Sequence, residues 1–186
     1  MLVVRNLIIL IALLLLFPFL SLLMLIIIIE DGMPAIFIQE RVGIEKKIFR
    51  LFKVRTMKKN TLQVGTYDVD QSQILRCGSI IRKLKLDEFL QLINVLKGDI
   101  NLVGPRPSLQ NQVELVLRRE QLGIFSIKPG ITGLSQVCGY DMSDPKKLAF
   151  VDNLYLQHRS MMLDFMILVS TFTGIFKKYL KQRFNI

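Results

Sequence analysis

Between Leu7 and Ile29 lie 23 residues whose apolar character only Pro18 and Ser21 interrupt. No other feature limits the possible folds so strongly. As a straight helix the run would be about 34 Å long, enough to cross the hydrocarbon core of a bilayer. It is too long for a secretory leader and carries no small-residue cleavage site, so a retained membrane segment is expected. On hydropathy alone it reads as a spanning anchor. Pro18 opens a second path, because it divides the run into halves of about 11 residues, each roughly 16 Å long. A proline inside a helix removes a hydrogen bond and crowds the preceding turn, so a kink is expected there. A sharply bent helix would enter and leave on one side, with Ser21 a local donor to the backbone that lipid cannot satisfy. Spanning and re-entrant paths both stay open at this level.

The flanks are asymmetric. Only Arg5 precedes the run, whereas Arg41, Lys46, Lys47, Arg50, Lys53, Arg55, Lys58 and Lys59 follow it. Basic flanks stay cytoplasmic, so residues 1–30 read as the membrane segment and 31–186 as a cytosol-facing domain. The chain is 51% hydrophobic yet carries a formal net charge of +10. That combination suits an anionic membrane surface, an anionic substrate, or both. Cys77, Cys138 and the single His158 form neither a disulfide framework nor a zinc motif, and they fit a reducing compartment. Neither Gly-Lys-Ser nor Gly-Lys-Thr occurs, which excludes a P-loop.

The chemistry concentrates between Arg82 and Pro107. Leu86, Phe89, Leu90, Ile93 and Leu96 recur at helical spacing, so a helix is expected over residues 87–97, with Gly98 as its stop. Asp87 and Glu88 would then stand in its first turn, where the helix dipole favours ionised carboxylates. An ionised carboxylate can attack phosphorus, and Arg82, Lys83 and Lys85 would draw in a diphosphate. The same pair also reads as ordinary capping and dipole chemistry. Arg106 sits between Pro105 and Pro107, which narrow its backbone range and reduce the entropy lost on binding.

Elsewhere, Ile36, Ile38 and Ile48 to Val54 have strand character with a turn at Gly43. Residues 60–72 read as a polar loop, and Pro129 to Tyr140, with three glycines, as a compact loop. Ser160 to Phe184 reads as an amphipathic helix lying in the membrane interface, its basic end reaching lipid phosphates.

Ordered along the chain, several blocks resemble the monotopic phosphoglycosyl transferases, also called bacterial sugar transferases, in their small minimal-domain class. After the Pro-interrupted segment come Gln39-Glu40-Arg41-Val42-Gly43 and Phe52-Lys53-Val54-Arg55-Thr56-Met57. Arg82 through Gln91 and Leu102-Val103-Gly104-Pro105-Arg106-Pro107 follow. Lys128-Pro129-Gly130-Ile131-Thr132-Gly133 comes next, and Asp152, Tyr155, Arg159-Ser160 and Leu163-Asp164 complete the set.

The resemblance implies an α+β, mainly helical fold. Its parts would be an N-terminal re-entrant membrane helix, a short β-hairpin, a catalytic helix and amphipathic interfacial helices. It implies a ping-pong transfer in which Asp87 attacks the sugar-linked phosphate of a UDP-sugar, UMP leaves, and polyprenol phosphate takes the phosphosugar. Glu88 would help bind Mg²⁺ (or Mn²⁺) with Asp87, or assist deprotonation of the lipid phosphate. Arg82 and Arg106 lead the substrate-binding set, joined by Pro105, Pro107, Lys53, Arg55 and Gln136. The implied location is the cytoplasmic face of a bacterial plasma membrane, in contact with its lipids. A homodimer is compatible with this, and nucleic acid is not an expected partner.

Two departures from the family pattern stand out. Phe17 precedes the proline where a serine is common. Many members also continue from Pro-Gly-Ile-Thr-Gly to an arginine at the position of Tyr140, so a phosphate or sugar contact is lost unless another basic residue supplies it. The alternative reading is a basic, membrane-anchored binding or scaffold protein without catalysis.

Overall fold

A computed structural model describes residues 2–59, 61 and 71–186. The polar loop expected over 60–72 lies outside the described residues, apart from Thr61 and its last two positions. The chain divides into two compact units, Met1–Gln39 with Arg50–Gly98, and Glu40–Phe49 with Asp99–Ile186.

The first unit is built on α1 (Leu2–Asp31), which continues through Pro18. It is long and apolar enough to cross a membrane. Ser21 Oγ donates to Phe17 O at 2.8 Å, the local side-chain bond expected beside the proline. Most of the helix is uncovered: Leu14, Leu15 and Phe17 are all exposed, as apolar side chains facing lipid would be. Ile9 is buried in its first half, but most of its packing on protein lies in the second. Leu20 and Ile27 are buried there with Leu23 and Met24 beside them, a stripe at i, i+3, i+4 and i+7.

Against that stripe lie α2 (Arg76–Lys83) and α3 (Gln91–Lys97), contributing Leu75, Ile81 and Leu90 to the same cluster. The end of α1 is tied down by polar contacts. The Glu30 carboxylate accepts from Arg76 N at 2.6 Å and Cys77 N at 3.1 Å, capping α2, whose own N-cap Leu75 has no side-chain acceptor. Arg55 Nη2 donates to Gly32 O at 2.6 Å and pairs with Asp31 at 3.3 Å.

Strands β1 (Ile36–Val42) and β2 (Ile48–Val54) form the hairpin expected around Gly43. Its tip counts with the second unit. In that unit β3 (Asn101–Val103) and β4 (Gly130–Thr132) pair in parallel, with Asn101 opposite Gly130 and Val103 opposite Thr132. The helix α4 (Val113–Gln121) connects them. Helices α5 (Leu134–Cys138), α6 (Pro145–His158), α7 (Met161–Thr173) and α8 (Lys177–Phe184) follow. Val103, Leu134, Val151, Tyr155, Leu163, Ile167 and Leu180 form their common core.

Two expectations need correction here. Pro129 to Tyr140 is a strand and a short helix, and its glycines serve close backbone approach. A Cβ on Gly130 would stand 2.1 Å from Gly104 N, so only hydrogen lets the two strands meet. The C-terminal stretch is two helices, because Gly174 at φ 72° ends α7 in the left-handed conformation and α8 starts anew at Lys177. Met161, Met162, Phe165, Phe172 and Ile175 are all exposed there, so an uncovered apolar face persists across the break.

Gly130→Ala should therefore destabilise the protein by about 1–3 kcal/mol through overpacking. Gly123→Ala, with open space around its Cβ but φ +68°, should cost only about 1 kcal/mol. Chemical denaturation of the two variants in detergent checks this order.

Candidate active site

Asp87 and Glu88 do not open a helix. They occupy a 3₁₀ turn, Leu86–Glu88, entered from Lys85 in the left-handed conformation (φ 56°). Glu88 N donates to Lys85 O at 3.3 Å and Phe89 N to Leu86 O at 3.4 Å. Only at Gln91 does α3 begin, and Gly98 ends it at φ 81°, as expected. The tighter turn shifts the helical phase. Ile93, one of the residues at helical spacing, is exposed, while Gln91 and Asn94 are buried.

The dipole argument for the dyad thus gives way to a direct one. Lys53 Nζ lies 3.1 Å from Glu88 Oε1 and 3.8 Å from Asp87 Oδ2, with all three side chains mostly covered. Attraction between such groups is strengthened by their partial removal from water. Leu86, Phe89 and Leu90, on and just after the turn, pack into the cluster on α1, so the dyad is fastened to the apolar helix.

Asn94 sets where Lys53 stands. Its Oδ1 accepts from Phe52 N at 3.1 Å and its Nδ2 donates to Arg50 O at 2.7 Å, stitching α3 to the edge of β2 on either side of Leu51. Sequence reasoning passed over this residue. A fully buried amide inside an apolar helical pattern is the signal that was available. Arg82, in the last turn of α2, is half-buried and joins no ion pair among the described residues. Arg55, read as a substrate contact, is bound instead to the end of α1, and its Nε and Nη1 are buried without partners.

The second unit holds Pro105, Arg106, Pro107 and Gln136. Three consecutive carbonyls of the Pro-Arg-Pro corner are each held. Pro105 O accepts from Gly130 N at 2.9 Å, Arg106 O from Arg119 Nη1 at 2.7 Å, and Pro107 O from Arg41 Nη1 at 3.0 Å. Arg119 is the member the sequence did not disclose. Its Nε and Nη2 grip Asp152 Oδ2 at 3.1 and 2.6 Å, and Ser135 Oγ donates to Asp152 Oδ1 at 2.9 Å. Arg119 and Asp152 are 2% and 1% exposed, so this is a fully buried, fully hydrogen-bonded pair. The corner is rigid, and Arg106 leaves it half-buried. Gln136 Nε2 donates to Ile131 O at 3.1 Å, while its Oε1 is buried without a partner. Nearby, Tyr155 Oη donates to Asp164 Oδ1 at 2.8 Å, and burial pushes both groups above their ordinary pKa.

No group of three or more His, Cys, Asp or Glu that could hold a metal occurs among the described residues. The dyad nevertheless offers hard oxygen donors, and both carboxylates already converge on one cation, the Lys53 ammonium. That donor set fits Mg²⁺, which takes one or two carboxylates and completes its shell with substrate phosphates and water.

The first unit thus holds a carboxylate pair beside a covered ammonium, on a turn fastened to a helix of membrane-crossing length. The chain belongs to the bacterial sugar transferase family, whose model matches residues 3–178. Among its relatives is EpsL of Bacillus subtilis, an uncharacterised sugar transferase, 39% identical over 77% of this chain and 70% of that one. Another is the UDP-N-acetylgalactosamine-undecaprenyl-phosphate N-acetylgalactosaminephosphotransferase of Aeromonas hydrophila. It is 36% identical over 79% of this chain and 36% of its own. The undecaprenyl-phosphate galactose phosphotransferase of Salmonella typhimurium is 35% identical over 76% of this chain and 33% of its own. The chain thus spans about a third of the length of these last two relatives.

Three outcomes are expected. Arg119→Met leaves Asp152 buried and uncompensated and should cost about 3–5 kcal/mol, read by denaturant titration. Asn94→Leu should raise the exchange rates of the Phe52 amide and its neighbours on β2, read by hydrogen–deuterium exchange. The Cys77 thiol is pushed up to about 11 by burial and then by the Glu30 carboxylate. Its alkylation should therefore be slow at pH 8 and accelerate only toward pH 11, with Glu30→Gln shifting the profile downward.

Proposed function

We propose that this chain transfers a phosphosugar from a UDP-sugar to a polyprenol phosphate, releasing UMP, through a covalent intermediate on Asp87. The observation that carries the reading is the placement of the Asp87–Glu88 pair, beside Lys53, on a turn packed into the apolar helix α1. Such a site suits one water-soluble and one lipid-borne substrate. The names of the Aeromonas and Salmonella relatives, which specify a sugar phosphate and undecaprenyl phosphate, support the same chemistry.

In the first step an Asp87 carboxylate oxygen attacks the sugar-linked phosphorus. The bond from that phosphorus to the bridging oxygen breaks, UMP departs, and an acyl phosphate bearing the sugar remains. In the second, a phosphate oxygen of the polyprenol phosphate attacks the same phosphorus and Asp87 is released as carboxylate. Lys53 holds both carboxylates in place and offsets their charge as the anionic donor approaches. Glu88 either helps bind the metal or takes the proton from the lipid phosphate. Asp87, with Glu88 in the first of those roles, would hold Mg²⁺ or Mn²⁺, which would supply further charge neutralisation. Arg82 and Arg106 are assigned to donor phosphates; the corner of Pro105 and Pro107 fixes Arg106 before binding, so little ordering entropy is lost. Gln136, on α5, is assigned to substrate binding. Arg55 is assigned to holding α1. Pro18 is assigned to a bend in α1 that would keep both its ends cytoplasmic, and the exposed apolar residues of α7 are assigned to the membrane interface, with the basic α8 at the headgroups.

Intact-protein mass after incubation with UDP-sugars and Mg²⁺, without lipid acceptor, tests the mechanism. A phosphosugar-sized increase is expected, absent in Asp87→Asn, together with UMP release that needs polyprenol phosphate to become catalytic. Lys53→Met should reduce the rate by about 10²-fold. Turnover by Asp87→Asn at the wild-type rate would remove Asp87 from the role.

A further inference from the structure

Three ammonium groups of the second unit converge on the short segment that follows α5. Lys147 Nζ of α6 lies 5.7 Å from the centroid of the Tyr140 ring, and Lys181 Nζ of α8 lies 5.6 Å from the same centroid. Lys177, one turn earlier on α8, brings its Nζ to 3.8 Å from where a Cβ on Gly139 would stand. The field of Lys181 and Lys177 also reaches the buried Cys138 thiol, where it opposes the rise that burial causes.

The electrostatics of this cluster are unbalanced. None of the three lysines joins an ion pair among the described residues. The carboxylates nearest in sequence are already engaged: Asp141 accepts from Ser143 N and Oγ, and Asp144 accepts from Lys147 N as the cap of α6. The face of an aromatic ring attracts a cation, but it offsets only a fraction of a full charge. The ring itself is fixed. Tyr140 packs against two core clusters, its N–H donates to Ser135 O at 2.9 Å, and Gly139 at φ 86° sets the entry to it. Lysine ammoniums are compact point charges with rotatable donors, suited to phosphate oxygens approached from several sides.

We propose that Tyr140, Lys147, Lys177 and Lys181 form a phosphate-binding site contained wholly in the second unit. The ring spaces the lysines, and a phosphate group supplies the negative charge that the described residues do not. The ligand is either a soluble diphosphate or the phosphate of an anionic lipid; the recognising chemistry is the same. The assignment stands without the covalent mechanism, since it uses none of the residues given a part in it.

The test is site-resolved amine acylation of the full-length protein in phosphatidylcholine nanodiscs, read by peptide mass spectrometry with Lys47 as reference. One arm adds inorganic pyrophosphate and the other replaces part of the lipid with phosphatidylglycerol. Labelling of Lys147, Lys177 and Lys181 should slow about fivefold or more relative to Lys47 in at least one arm. Slowing by pyrophosphate assigns the site to a soluble diphosphate, and slowing by phosphatidylglycerol alone assigns it to a lipid headgroup. In the Lys147→Gln/Lys181→Gln variant, checked for an unchanged melting temperature, protection of Lys177 should disappear. Tyr140→Phe should keep the protection, and Tyr140→Ala should lose it. Labelling unchanged relative to Lys47 in both arms, or protection of Lys177 that survives the double substitution, would overturn the proposal.

Discussion

Leu75, Ile81 and Leu90 lose their contact with water against the second half of α1, and the first unit depends on that burial. Each fully buried side chain of this kind contributes roughly 1.5–3 kcal/mol. The contact also has a direction. Because Leu86, Phe89 and Leu90 flank the carboxylate pair, the hydrophobic effect that closes the unit also fixes that pair against the apolar helix. A membrane segment joined only by a flexible tether would give no such placement.

In the second unit a buried ion pair does comparable work by different means. Arg119 and Asp152 are costly to desolvate, and apolar residues could stabilise the core equally well. What apolar residues could not do is reach the Arg106 carbonyl. The guanidinium fork satisfies Asp152 with two nitrogens and holds the Pro-Arg-Pro corner with the third. The pair therefore defines the backbone from which Arg106 projects.

The legible parts of the fold were those governed by short periods. The apolar run, the alternation around Gly43 and the stop at Gly98 depend on near neighbours, and all three took the expected form. What could not be read depended on partners distant in sequence. Nothing in the spacing of Arg119 and Asp152 announces their contact, and Asn94 is explained only by the β2 edge it meets. The dyad turn failed for a local reason: a left-handed Lys85 and a three-residue turn break the 3.6-residue phase that grouped Ile93 with Leu86, Phe89 and Leu90. Pro129 to Tyr140 was misread because glycine serves tight packing as readily as it serves loops. Tyr140 itself, read as the loss of a cation, stands among lysines supplied by α6 and α8.

The last turn of α1 and the residue after it have a bearing on biosynthesis. Glu30, Asp31 and Gly32 find their partners in Arg55, Lys59, Arg76 and Cys77, all of which leave the ribosome later. A chain made from its N-terminus completes α1 before those partners exist. The end of the helix then waits with its carboxylates and carbonyl unclaimed, and the rest of the unit assembles onto it. The order of synthesis thus makes α1 the template on which the hairpin and α2 are laid down.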